Sequence, residues 1–261
     1  MKNNRYQQLV EKIFFEGYEV GTLEIPFHRE NFETAANELG FKLPKNLGDI
    51  IYSIRYRIAM PDTIIKTQPK GMEWIIEGKG RAQYCFRLVK INRIVPNREL
   101  IVIKIPDSTP EIVSQYALSD EQALLAKIRY NRLIDIFLKI TTYSLQNHLR
   151  TTVKGIGQIE IDEIYVGIDE RGRHFVMPVQ AKGGSDQLSV VQTNQDIQCC
   201  LEKYPNLICR AISAQFMGDD IIALFELIIQ DQQVKVVQER HYKLVPGNEI
   251  TSQDLTMYQS I

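Results

Sequence analysis

Gln158-Ile159-Glu160-Ile161-Asp162-Glu163-Ile164-Tyr165-Val166-Gly167, followed by Phe175-Val176-Met177-Pro178-Val179-Gln180-Ala181-Lys182, is the stretch on which the reading of this chain turns. β-Branched and aromatic residues fill both runs, and the charged Asp169-Glu170-Arg171-Gly172-Arg173 lies between them, so two strands joined by a hairpin connection are predicted. Side chains alternate faces along a strand, which puts Glu160 and Asp162 on one face and Ile159 and Ile161 on the other. Pairing of the two strands brings Gln180 and Lys182, again on a shared face, alongside Asp162. Hard oxygen donors of this kind suit a magnesium ion, which keeps several waters and leaves room for a substrate phosphate. Such an ion generates a hydroxide nucleophile and stabilises charge on phosphoryl oxygens. Lys182 would orient the attacking water or neutralise the pentavalent phosphorane.

The triplet alone is a weak signal, because [Asp/Glu/Gln]-x-Lys also occurs at Gln68 to Lys70, Glu77 to Lys79 and Gln233 to Lys235. Pro61-Asp62 precedes Glu77-Gly78-Lys79 at a tempting distance. That lysine, however, sits between two glycines in what reads as a tight turn, and a catalytic lysine belongs on a rigid strand. The Gln233 triplet follows Asp219 and Asp220 across an ordinary antiparallel meander. Strand context therefore favours the Asp162–Lys182 pair.

On these residues the chain resembles the PD-(D/E)xK nucleases of restriction-endonuclease-like fold, and among them the Mrr-like members in which Gln replaces the second acid. The likeness covers roughly residues 111 to 243 as a fold, with its specific motif confined to Glu160–Lys182. It implies an α/β (α+β) architecture in which a mixed sheet is flanked by helices. Carried over residue by residue, Asp162, Gln180 and Lys182 take the catalytic positions. Asp162 and Glu160 would hold Mg²⁺, with Mn²⁺ as an alternative, and Glu163 is a further candidate ligand. The chain departs from the pattern in two places: Gln180 supplies a neutral amide oxygen where most relatives place a carboxylate, and no proline precedes Asp162. A helix acid often completes such a site, and Asp135 or Glu121 could serve, although both read more readily as solvent-facing.

Net charge is −1, but its distribution is uneven. Residues 1–105 hold 17 Lys+Arg against 12 Asp+Glu, whereas residues 153–261 hold 9 against 15. A basic front half and an acidic rear half fit a DNA-gripping module joined to a metal-binding one, although surfaces also vary without function. Pro106-Asp107-Ser108-Thr109-Pro110 is the clearest linker signal and places a boundary between domains 1–105 and 106–261.

Ahead of that boundary the order of elements suggests a winged helix. Glu30–Leu39 is a helix stopping at Gly40, and Leu47–Arg57 is a second with Asn46 as its N-cap. Met72–Ile76 and Arg81–Leu88 are strands around a Gly78-Lys79-Gly80 wing. Arg55 and Arg57 on the second helix, with Lys79 and Arg81 at the wing, are the candidate DNA-binding residues. Tyr52 and Tyr56 read equally well as a core stripe. Beyond the boundary, one long helix is predicted from a capping box at Ser119 and Gln122 towards Arg150, with Ile134, Leu138, Thr141, Leu145 and Leu149 on its apolar face. His148 lies near that face and reads as a core histidine or a neighbour of the metal. Val190–Leu201 is a crossover helix, and the tail from Pro246 reads as loosely ordered.

No apolar run approaches the roughly 20 residues of a membrane helix, and the N-terminus is a polar amphipathic stretch without a signal-peptide core. Cys85, Cys199, Cys200 and Cys209 show no Cys-x-x-Cys spacing, so reduced thiols in a cytoplasmic protein are expected. The combined expectation is a metal-dependent endonuclease acting on double-stranded DNA in restriction or defence. A symmetric homodimer is expected too, because both strands of a duplex must be cut. The alternative is a DNA-binding regulator whose nuclease-like fold is catalytically silent, and RNA processing is a more distant third.

Overall fold

The computed structural model describes residues 4–45, 47–56, 58–90, 94–116, 121–183, 190–217, 220–230 and 233–260. By contact density the chain forms two compact units, residues 1–91 with 152–158, and residues 92–151 with 159–261.

The first unit opens with α1 (Arg5–Gly17), where a polar stretch was expected. Asn4 accepts from the Gln7 backbone N–H, and the Gln7 side chain accepts in return from the Asn4 N–H, a reciprocal cap that satisfies two orphan donors. Leu9, Val10, Ile13 and Phe14 then line the buried face. Next come β1 (Glu24–His28), α2 (Asn31–Leu39), α3 (Gly48–Tyr56) and the single turn α4 (Asp62–Ile65). As expected, α2 stops at Gly40, whose left-handed backbone suits glycine. β2 (Met72–Gly80) and β3 (Gln83–Lys90) complete an antiparallel sheet in the order β1-β3-β2. Their turn falls at Arg81-Ala82 and not at Gly78–Gly80, which instead forms a bulge in the pairing of β2 with β3. Phe14, Phe27, Phe32, Trp74 and Phe86 build an aromatic core beneath this sheet.

The second unit holds an eight-stranded mixed sheet. Its elements are β4 (Val102–Pro106), α5 (Glu111–Tyr116), α6 (Glu121–Tyr130), α7 (Leu133–Leu138), β5 (Thr141–Val153), β6 (Gly157–Ile168), β7 (His174–Lys182), α8 (Val190–Lys203), β8 (Ile208–Cys209), β9 (Ala211–Phe216), β10 (Ile221–Gln230), β11 (Gln233–Val245) and α9 (Ser252–Tyr258). The strand order is β4-β11-β10-β9-β7-β6-β5, with the short β8 beside β7. β7 runs parallel to β9, which requires a crossover, and α8 supplies it. α6 and α7 bury Leu124, Leu125, Ile128, Leu133 and Phe137 against Met177, Val179 and Ala181 on one face of the sheet. On the other face, Ile197 of α8 packs with Ala211, Ala223 and Phe225.

Three expectations need correction. The strand ahead of the proline pair, β4, hydrogen-bonds in parallel with β11 of the larger sheet, so it is no part of the first unit. The long helix is two short helices and a strand. Arg132 (φ 50°) and Lys139 (φ 56°) take left-handed conformations that break it, and the run Ile140-Thr141-Thr142-Tyr143 has the β-branched and aromatic character of a strand. The four-residue spacing of Leu145 and Leu149 was therefore coincidental. The tail is also ordered: Thr251 and Asp254 form a capping box for α9, and Asp254 accepts from Lys104 of β4 at 3.0 Å. Burial has little part there, and those hydrogen bonds hold the Asp254 carboxyl down to about 2. Among the described residues no helix is long and apolar enough to cross a membrane.

Candidate functional site

Antiparallel pairing of β6 with β7 sets Glu163 opposite Val179 and Ile164 opposite Pro178. One step further along, Asp162 meets the β7 backbone directly, its Oδ2 accepting from the Ala181 N–H at 2.9 Å. Burial pushes the Asp162 carboxyl up; the Ala181 N–H and the nearby Lys182 ammonium oppose that rise, while the Glu121 carboxylate adds to it. The aspartate is thus half-desolvated and sits within the field of both Lys182 and Glu121.

Lys182 ends β7, and its long stem carries Nζ to Glu121 Oε1 at 2.9 Å, in the first turn of α6. Of the two candidate helix acids, Glu121 is therefore the one beside Lys182. Asp135 is not, because its carboxylate accepts from the Thr142 N–H and pairs with Arg132, which ties α7 to β5. Glu160 shares the Asp162 face, but both its oxygens are engaged: Oε1 with His148 Nδ1 at 3.3 Å and Oε2 with Arg150 Nε at 3.0 Å. His148 is consequently an exposed residue of β5, with φ at 48°, and no core histidine.

Gln180 is buried, and its Nε2 donates to Asp196 Oδ2 of α8 at 2.8 Å. Parallel pairing also sets Ser213 of β9 beside Gln180. Burial pushes the Asp196 carboxyl well up; the Gln180 hydrogen bond opposes this and the Asp162 charge reinforces it. Gln180 Oε1, Asp196 Oδ1 and Ser213 Oγ are all buried and find no hydrogen-bond partner among the described residues. A helix covering a sheet ordinarily turns apolar residues inward, yet α8 buries Thr193, Gln195 and Asp196. Polar residues at those core positions are a signal legible in the sequence.

Glu163 stands apart from this group. One residue on from Asp162, it faces the α6–α7 side, where its fully buried carboxylate accepts from Arg129 Nε at 2.9 Å and Ser144 Oγ at 2.5 Å. Its role as a third metal ligand is not supported by that placement, since strand alternation sends it to the opposite face. Of the proposed DNA contacts, Arg57 and the side chain of Arg55 lie outside the described residues, as do the caps Asn46 and Ser119. Arg81 is exposed at the β2–β3 turn, and Lys79, also exposed, lies 3.6 Å from Glu77. Glu77 also takes Arg87 at 2.6 Å, and Asp62 lies in α4 and on no strand, so the Glu77–Lys79 triplet forms no comparable group.

No three His, Cys, Asp or Glu side chains among the described residues converge as a metal cage. The donor set at Asp162 nevertheless fits magnesium. This ion takes hard oxygens, needs only one or two carboxylates and retains waters. Asp162 and Gln180, whose Oε1 has no partner among the described residues, would supply such oxygens. Bound there, Mg²⁺ or Mn²⁺ would activate a water and polarise a phosphoryl oxygen.

Comparison with known protein families returns no matching family model, and comparison with curated proteins returns no match. The chemistry of this site therefore rests on its own geometry.

Proposed function

We propose that this chain is a metal-dependent endonuclease of the PD-(D/E)xK kind that hydrolyses phosphodiester bonds of double-stranded DNA, in restriction or defence. One observation carries the reading: Asp162 and Lys182, from two paired strands, meet at one strand end, joined through the Ala181 N–H and flanked by Glu121. Asp162 and Gln180 present oxygens to a divalent ion. Lys182, ion-paired with Glu121, neutralises the charge that builds on the phosphorane. The β7–α8–β9 crossover next to the site, within a mixed sheet covered on both faces, supports the same reading.

The first unit supplies the grip on DNA. Its order, α1-β1-α2-α3-α4-β2-β3 with a three-stranded antiparallel sheet, resembles a winged helix carrying one extra turn, α4, with α3 as the recognition helix and Arg81 at the wing. Two copies acting as a symmetric homodimer would cut both strands.

A second reading, a silent DNA-binding regulator, draws support from Glu160, whose oxygens are held by His148 and Arg150. Incubating the protein with plasmid and phage DNA, modified and unmodified, in Mg²⁺ or Mn²⁺ separates the two. Metal-dependent cutting that stops with a chelator is expected. Tight DNA binding without cutting on every substrate would transfer the assignment to the regulator.

A further inference from the structure

We propose that Asp196 is a positioning residue, fixing the Gln180 amide so that its nitrogen points into α8 and its oxygen faces the Asp162 side. The proposal rests on the reading of the Asp162–Lys182 end as the metal site.

An amide side chain has two faces of nearly equal shape, and only its hydrogen bonds decide which atom points where. At position 180 a carboxylate would present oxygen in either orientation, whereas glutamine presents oxygen in one and two N–H donors in the other. A donor turned towards a cation repels it, so a glutamine here needs an acceptor behind it. Asp196 provides that acceptor at 2.8 Å, from a helix whose path between β7 and β9 is fixed by the parallel pairing of Gln180 with Ser213. The pair is buried, with Gln180 1% and Asp196 2% exposed, so water does not compete for the amide. Gln180 Oε1 is left buried and without a partner among the described residues, as a ligand oxygen awaiting a cation would be.

The test is Mn²⁺ binding, followed by electron paramagnetic resonance or calorimetry, in wild type, Asp196→Asn, Asp196→Ala and Asp162→Asn, with thermal unfolding of each. The Asp196→Asn variant still offers a carbonyl to the Gln180 amide, so its Mn²⁺ affinity should stay within about three-fold of wild type. Asp196→Ala removes the acceptor and should weaken Mn²⁺ binding by about ten- to a hundred-fold, the usual cost of losing a ligand-orienting partner. Equal affinity of Asp196→Ala and wild type would overturn the proposal, as would an Asp196→Asn loss matching that of Asp196→Ala.

Should Asp196→Ala not fold, an exchange of roles gives the same answer. Gln180→Glu alone sets two carboxyls side by side, whereas Gln180→Glu with Asp196→Asn restores a donor–acceptor pair in reverse. The double variant should bind Mn²⁺ at least ten times more tightly than Gln180→Glu, and no recovery would count against positioning. Failure of the underlying site is distinguishable. Wild type that binds no Mn²⁺, or binding untouched by Asp162→Asn, removes the metal site and this proposal with it. Normal wild-type binding, lost in Asp162→Asn but indifferent to position 196, removes this proposal alone.

Discussion

Two adjacent carboxylates on β6 meet opposite surroundings. Glu163 faces α6, where the Arg129 guanidinium, its own pKa raised chiefly by that carboxylate, and Ser144 both bind Oε1, while Oε2 is buried without a partner among the described residues. Asp162 faces α8, where burial outweighs the groups that favour its ionised form. Behind it, Asp196 and Gln180 leave buried oxygens without partners among the described residues. The Glu163 charge meets a guanidinium within the chain; on the proposed reading, a bound metal ion would meet the Asp162 charge. On that reading one face of the sheet serves stability and the other chemistry.

The contrast can be broken most forcefully at Asp162. Replacing it with Asn should lower metal-dependent DNA cleavage about 10³-fold, since a ligand and a charge are lost together. The fold should be unharmed, because relief from burying a carboxyl offsets the weaker bond to Ala181; initial rates on supercoiled plasmid and a melting curve check both parts. Arg129→Ala should do the reverse. It strands the Glu163 carboxylate, which costs about 2–3 kcal/mol after allowing for the partial exposure of the guanidinium. Denaturant unfolding would register that loss, while cleavage per folded molecule should stay within about three-fold.

A smaller effect concerns pH. The Asp196 carboxyl is pushed up by burial, so the folded protein holds a proton there that the unfolded chain releases near the ordinary aspartate value of about 4. Between that value and the raised one the native state binds more protons, and stability falls as pH rises. Wild-type melting temperature should accordingly drop more than that of Asp196→Asn as pH rises above the ordinary aspartate value of about 4. Parallel curves for the two proteins would show that Asp196 is ionised throughout.

The smallest effect lies in the first unit. Arg81→Ala should weaken DNA binding several-fold on all sequences and reduce the slope of log affinity against log salt by about 1, as expected for one phosphate contact. Affinity measured across a salt series, with cleavage rate at saturating DNA unchanged, checks this.

How much of this was legible follows from which signals are local. The β6–β7 hairpin and its alternation were plain, because a period of two over so many β-branched residues has one reading. The crossover helix α8, the Gly40 stop and most strands of the larger sheet were equally local. The long helix after Ser119 was misread because Leu145 and Leu149 mimic a helical stripe, while the left-handed Arg132 and Lys139 carry no glycine to announce them. β4 was assigned ahead of the boundary because its pairing with β11 joins residues more than a hundred positions apart. α1 went unseen behind its polar residues, although the spacing of Leu9, Val10, Ile13 and Phe14 was available. In the proposed site, Asp162 and Lys182 were chosen by pattern, and Glu121 was weighed as a helix acid but placed towards solvent. The buried role of Asp196 needed the crossover geometry that lays α8 over Gln180.

The central claim is that chemistry belongs to the Asp162 face of β6 and not to the Glu163 face. Cleavage of supercoiled plasmid in Mg²⁺ by wild type, Lys182→Ala and Glu163→Gln tests it most directly. The account predicts that Lys182→Ala loses at least about a hundred-fold in rate while remaining folded, and that Glu163→Gln cuts at close to the wild-type rate. Cutting by Lys182→Ala at the wild-type rate, or its loss in Glu163→Gln alone, would contradict it.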